Sequence, residues 1–160
     1  LFTYEVEKGL IRVNLSWRNL ILDVYIYKCS NIYKNLLKEV EYRLIKPEDP
    51  IAIVPTSLIK TPLQLLQGSL YYKLYSNGIK RVKNRGLLLA MMITGSNQIN
   101  KVVEALGVEI ERGVDYYLIS LESPPSNTNM CTPLSSLEID GSREVLRPLV
   151  KNTSTLLELI

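Results

Sequence analysis

Polar and apolar residues alternate from the start of the chain. Phe2 to Glu7 and Leu10 to Trp17 read as strands, with Ile11, Val13, Leu15 and Trp17 on one face and Arg12, Asn14 and Ser16 on the other. Arg18-Asn19 offers a turn into a further extended run, Leu20 to Tyr27, which predicts an amino-terminal hairpin or meander. The period then changes. Ile32, Leu36, Leu37, Val40 and Leu44 recur at helical spacing behind Ser30 or Asn31 as a cap, and Pro47 and Pro50 stop that helix. Ile51 to Val54 is short and apolar throughout, as a buried strand ending at Pro55 would be.

Three helices are expected in the middle of the chain. Thr61-Pro62 opens the first, a hydroxyl cap followed by proline at the first helical position. Leu63, Leu66, Leu70 and Leu74 form its inner stripe, and Gly78 ends it. Leu65 and Tyr72 point the other way, with Tyr71 and Tyr75 between the two faces. A helix apolar on nearly all sides reads as central in the fold, ahead of an exposed partner-binding face. Arg85 to Thr94 reads as a second, buried helix, because Leu87 to Ile93 has no polar face. After Gly95-Ser96-Asn97 a third helix is predicted from Asn97 to Leu106, with Ile99, Val102, Val103 and Leu106 inward and Gly107 ending it. Val114 to Glu122 is a predicted strand and Ser123 to Asn129 a loop. A final helix is expected from Ser142, kinked or broken at Pro148, with Leu156 to Ile160 as a helical turn or an edge strand.

Strands at both ends and helices in the middle predict an α+β fold, a mostly antiparallel sheet packed against a central bundle of helices. The 160 residues suit a single domain. It divides into amino-terminal strands plus one helix (1–54), central helices (55–107), and a carboxy-terminal strand and helix (108–160).

Composition narrows the chemistry. At 46% hydrophobic and 22% charged residues the chain is not a disordered one. Its longest apolar run, Leu87 to Ile93, falls far short of the roughly 20 residues of a membrane span, so no membrane partner is expected. There is no histidine. That removes the Ser-His-Asp and Cys-His nucleophile systems and every zinc site built on imidazole. Neither GxxxxGK[ST] nor GxGxxG occurs. The expectation is a binding or scaffolding protein, not an enzyme, with no catalytic residue, cofactor or metal. The amino-terminal residues lack the basic-then-apolar pattern of a signal peptide, so a cytoplasmic protein is expected, with Cys29 and Cys131 as thiols ahead of a disulfide.

Charge is unevenly placed. Between Asp49 and Glu104 there is no acidic residue, yet Lys60, Lys73, Lys80, Arg81, Lys83, Arg85 and Lys101 fall there. A segment of one sign attracts polyanions, although a merely solvated basic surface has the same composition. Lys80 to Arg85 is the densest cluster, on a loop between two helices, where phosphates can be held without reading sequence. The second feature is Thr94-Gly95-Ser96-Asn97-Gln98-Ile99 at a helix junction. With Ser96 as cap, the first N–H groups of the third helix face outwards, and Asn97, Gln98 and Lys101 lie away from its apolar side. A capped, solvated helix start is the plainer account of that motif alone.

The motif belongs to a larger pattern. Thr61-Pro62-Leu63-Gln64-Leu65-Leu66 leads a helix, and Leu87-Leu88-Leu89, Thr94 to Ile99 and Ala105-Leu106-Gly107-Val108 follow in order. This block, from about Ile51 to Leu121, resembles the PRPK-binding protein family (TPRKB), the small kinase-binding subunit of the KEOPS/EKC complex. The resemblance implies an accessory subunit in threonylcarbamoyl-adenosine modification of tRNA. Such a subunit docks on the PRPK-type kinase/ATPase and holds the single-stranded CCA end of tRNA. The candidate tRNA-binding residues are Lys60, Lys73, Lys80, Arg81, Lys83, Arg85, Ser96, Asn97, Gln98 and Lys101. Should the chain be a pure protein adaptor instead, Leu65 and Tyr72 would belong to an exposed patch that docks the kinase, and the basic loop would only be solvated.

Overall fold

The computed structural model describes residues 2–15, 19–31, 47–125 and 131–135. The helix expected up to Leu44, the final helix from Ser142 and the segment Leu156 to Ile160 lie outside the described residues, as does part of the loop expected from Ser123 to Asn129.

The amino-terminal meander forms as expected. Strands β1 (Phe2–Glu7) and β2 (Leu10–Leu15) pair antiparallel with Glu7 opposite Leu10, which leaves Lys8 and Gly9 as the turn. Both have positive φ, 46° and 85°. That is the hand a two-residue hairpin turn needs to follow the twist of its strands. Gly9 is required for a second reason: a Cβ there would sit 2.5 Å from the ring of Tyr27, whose hydroxyl donates to the Lys8 carbonyl.

Strand β3 (Leu20–Cys29) is the spine of the sheet. Its first half pairs with β2. Its second half pairs with β5 (Tyr116–Ser120), which in turn pairs with β4 (Ile51–Pro55). The strand order is β1-β2-β3-β5-β4, every pairing antiparallel. The short strand β6 (Cys131–Pro133) lies against Tyr27–Cys29. Because β5 occupies one edge of β3 there, β6 takes the other, the edge that β2 leaves.

Three helices follow β4: α1 (Pro62–Tyr75), α2 (Arg85–Thr94) and α3 (Ile99–Arg112). Ile11, Val13, Leu22, Val24, Ile26, Ala52, Val54, Tyr117 and Ile119 alternate along the strands on one face and bury against Leu65, Leu88, Leu89 and Met91 of α1 and α2. A second cluster uses the opposite register: Cys29, Ile53, Tyr116 and Leu118, closed by Ile110 of α3. Strands β4 and β5 therefore carry apolar residues on both faces, which is why Ile51 to Val54 and Tyr116 to Ile119 show no alternation in sequence. The protein is a mixed α+β fold in which an antiparallel sheet packs against helices.

Helices α1 and α2 approach closely at Gly68, where a Cβ would lie 2.5 Å from the Cα of Ile93. The start of α2 is pinned to the sheet. Arg85 N–H donates to Pro47, and a Cβ on Gly86 would meet the Ile51 carbonyl oxygen.

Several expectations are corrected. The third helix does not end at Gly107, which is exposed in its middle, but at Gly113 with φ 78°. An interior glycine costs about 1 kcal/mol, too little to break a helix held by the packing of Leu106 and Ile110. Val103, expected to face inwards, is 52% exposed. Thr61 precedes α1, but its hydroxyl does not cap it and is buried without a partner. The cysteines are not thiols. Cys29 and Cys131 stand opposite each other across β3 and β6 and are joined in a disulfide. The expectation of thiols rested on cell compartment, whereas the fold sets the two side by side.

The helix expected behind Ser30 or Asn31 as its cap lies outside the described residues, but the side-chain amide of Asn31 has a role within them. It donates to the Ile110 and Val114 carbonyls at 3.2 Å each and so ties the end of α3 to the end of β3.

Candidate functional site

The loop between α1 and α2 owes its shape to Arg85. Residues Ser76–Gly78 form a 3-10 turn after α1, and Ile79 and Val82 plug into the core. The half-buried guanidinium of Arg85 then gathers the loop. It donates to the carbonyls of Ser76, Ile79 and Val82 and to the hydroxyl of Tyr72, and lies 5.7 Å from the centre of the Tyr72 ring. A fixed cation on the carbonyl of Ser76, the C-cap of α1, also complements the negative end of that helix. Arg85 is therefore a structural residue. Its donors are spent on the chain itself, which corrects its place among the candidate phosphate contacts.

With Ile79 and Val82 turned inwards, Lys80 and Arg81 between them and Lys83 after them are left exposed. Asn84 ends the loop by accepting from Leu87 N–H at 2.9 Å, the side-chain cap of α2. Among the described residues none of Lys80, Arg81 or Lys83 has a carboxylate partner; the ion pairs there are Arg12–Asp23 and Arg112–Glu109.

The junction between α2 and α3 lies beside this loop. Gly95 takes φ 78°, and the N–H groups of Gly95 and Ser96 both return to the Met91 carbonyl, closing α2. Ser96 Oγ accepts from Gln98 N–H at 3.3 Å, one residue before the helix, so it braces the junction instead of capping α3 from within. The guanidinium of Arg81 donates to the Asn97 carbonyl at 3.4 Å. The two features read separately from the sequence are thus joined in space. Gln98 is exposed, as is Lys101 on the first turn of α3, and Ser96 and Asn97 are half-buried.

Lys60 approaches the same junction from the start of α1. Its N–H donates to Gln64 Oε1, and Gln64 Nε2 donates to the Ile93 carbonyl at 2.8 Å, next to Thr94. Gln64 is a linking residue that sequence reasoning passed over. Its signal was an amide inside an otherwise apolar helical turn.

The remaining candidates stand apart. The Lys73 ammonium donates to the Ile21 carbonyl on β3 and lies in the field of Asp23, so it belongs to the sheet edge and not to the loop. Leu65 is fully buried and Tyr72 is 9% exposed, both in the main core. They form no exposed patch, because both are buried in the main core that α1 shares with α2 and the sheet.

The site so defined is a cationic rim, Lys80, Arg81 and Lys83, against the Ser96–Gln98 junction, with Lys60 and Lys101 flanking it. It offers ammonium and guanidinium donors, side-chain amides and no carboxylate, a set suited to a polyanion. Among the described residues no three acidic or cysteine side chains converge as metal ligands, and no helix is long and apolar enough to cross a membrane. Compared with family models, curated proteins and solved structures, the chain has no match.

Proposed function

We propose that this chain is a non-catalytic, TPRKB-like subunit that docks on a PRPK-type kinase/ATPase and binds the 3′ CCA end of tRNA, in support of threonylcarbamoyl-adenosine modification. The observation that carries the nucleic-acid half of this reading is the hydrogen bond from Arg81 to the Asn97 carbonyl. It sets a basic loop with no carboxylate partner among the described residues against the amide-bearing junction, so one ligand can meet both. Phosphates supply the affinity for such a rim, and amides suit the exposed edges of unpaired bases. The family half rests on the sequence block, whose three helical parts coincide in order with α1, α2 and α3. A subunit of this kind works in the cytoplasm. A disulfide is unusual there; in this one Cys29 is 1% exposed and Cys131 half-buried.

The test is a charge reversal that leaves Arg85 alone. Lys80→Glu, Arg81→Glu and Lys83→Glu together should abolish most tRNA binding while circular dichroism stays native. In the wild type, affinity should fall steeply with salt, and neutralising three contacts should flatten the log–log slope by about two on a single strand. Trimming the CCA end should weaken binding more than altering the anticodon loop. Unchanged affinity in the folded variant overturns the RNA assignment, and retained capture of the PRPK-type subunit would then leave the adaptor reading.

A further inference from the structure

We propose that Tyr71 and Tyr75 are the base-stacking platform of this site, so that its ligand is single-stranded nucleic acid gripped through its bases as well as its phosphates. The proposal rests on the reading that the basic loop binds nucleic acid, and adds to it a second kind of contact. The two rings lie on consecutive turns of α1, 6.0 Å apart between centres and 15° from parallel. Both are half-buried and seated against the main core together with Leu70. Packing against the core holds the rings in place, which lowers the ordering cost of stacking a ligand on them.

Their position matters more than their chemistry. Arg85 fastens the loop onto the last turn of α1 through Tyr72, Ser76, Ile79 and Val82, so Lys80, Arg81 and Lys83 project from the end of the helix that carries the rings. A cationic track beside parallel aromatic rings is the arrangement by which proteins hold unpaired strands, because every base offers a π-face and every linkage a charge. An acidic peptide would satisfy the lysines but has nothing to stack. A duplex would satisfy the lysines but hides its base faces. No acidic residue falls between Asp49 and Glu104, so neither α1 nor the loop carries a carboxylate of its own to repel a phosphate chain running from the rings to the loop.

The experiment measures fluorescence anisotropy of the full chain with three labelled probes: a 12-nucleotide single-stranded RNA, an abasic ribose-phosphate strand of equal length, and a poly-glutamate peptide of equal charge. The variant Tyr71→Leu with Tyr75→Leu should lose about tenfold or more in RNA affinity. It should keep its abasic affinity and its salt slope. Tyr71→Trp with Tyr75→Trp preserves stacking and should keep RNA binding, which separates a lost platform from a damaged fold. If the leucine variant binds RNA like the wild type while the Lys80/Arg81/Lys83 reversal does not, the platform is overturned and the phosphate site stands. If neither change affects RNA, both readings fall. Equal wild-type affinity for RNA and abasic strand, or for RNA and poly-glutamate, also overturns the platform.

Discussion

Arg85 shows how a charged residue is decided by its neighbours. In sequence it is one of a basic run, indistinguishable from Lys80, Arg81 and Lys83. In the fold it satisfies the carbonyl of Ser76 at the end of α1 and those of Ile79 and Val82 in the loop, and packs on Tyr72. Hydrogen bonds from a charged donor contribute about 1.5–3 kcal/mol, and carbonyls left without a partner add to the loss. Arg85→Ala is expected to lower stability in urea melts by about 3 kcal/mol, against less than about 0.5 kcal/mol for Lys83→Ala at the exposed neighbouring position. Arg85→Lys should recover little, because an ammonium cannot fork to several carbonyls in one plane. Equal effects at positions 85 and 83 would return Arg85 to the surface. Two glycines make the same point about space. Gly107→Ala meets nothing within 4 Å and should stabilise α3 by about 0.5–1 kcal/mol. Gly68→Ala gains the same propensity but drives a Cβ into the backbone of Ile93, and should cost about 1–3 kcal/mol net. Neither difference is legible in the sequence, where both are single glycines in apolar helical runs, because what separates them is the neighbour across the helix.

At the level of elements, what hydrophobic period carries was legible and what contact carries was not. The meander follows from a period of two, α1 from helical spacing behind Thr61-Pro62, and β4, β5 and α2 from unbroken apolar runs between stops; α2 runs over the predicted residues, Arg85–Thr94. Strand β6 has three residues, one of them Pro133, too few for a period to register. Its place is fixed instead by Cys131 opposite Cys29, by Leu134 N–H donating to Ile26 O, and by the burial of Leu134 to 1%. The disulfide spans a sequence separation of 102, and closing a loop of that size restricts the unfolded chain by up to about 4.7 kcal/mol. Cys29→Ser with Cys131→Ser, or full reduction under denaturant, should therefore lower stability by about 2–5 kcal/mol. Hydrogen exchange at Leu134 should quicken more than at Ile119 on the buried strand β5, because β6 depends on the clasp and β5 is paired on both sides. Protection at Leu134 unchanged by the double substitution would show that the ladder and the leucine suffice.

At the scale of the whole molecule the decisive fact is the absence of histidine, which was legible at once and bears on function as well as on catalysis. Histidine is the side chain whose ordinary titration falls between about pH 5 and 8. Both described cysteines are bridged and do not titrate. The proposed site is built from lysine, arginine, serine and amide side chains and holds no histidine. Acid acts elsewhere. Asp23 is held below its ordinary value first by the hydrogen bond from Arg12, against a smaller opposing push from burial. A lowered folded value means that the pair stabilises above the unfolded pKa of about 3.9 and that this contribution is lost as the pH falls through the folded value. Both partners are open to solvent, so the loss is small. Asp23→Asn should flatten the acid limb of a thermal melt and leave RNA affinity alone. The two dependences are therefore expected to separate. RNA affinity should be level within about twofold from pH 5.5 to 7 at fixed salt, because the site has no histidine, and should fall steeply with salt at fixed pH. Stability should decline only below the carboxylate range. A midpoint near pH 6 in the binding curve would require a titrating group that the Lys80–Lys83 loop and the Ser96–Gln98 junction do not contain, and would place the ligand on another surface of the molecule.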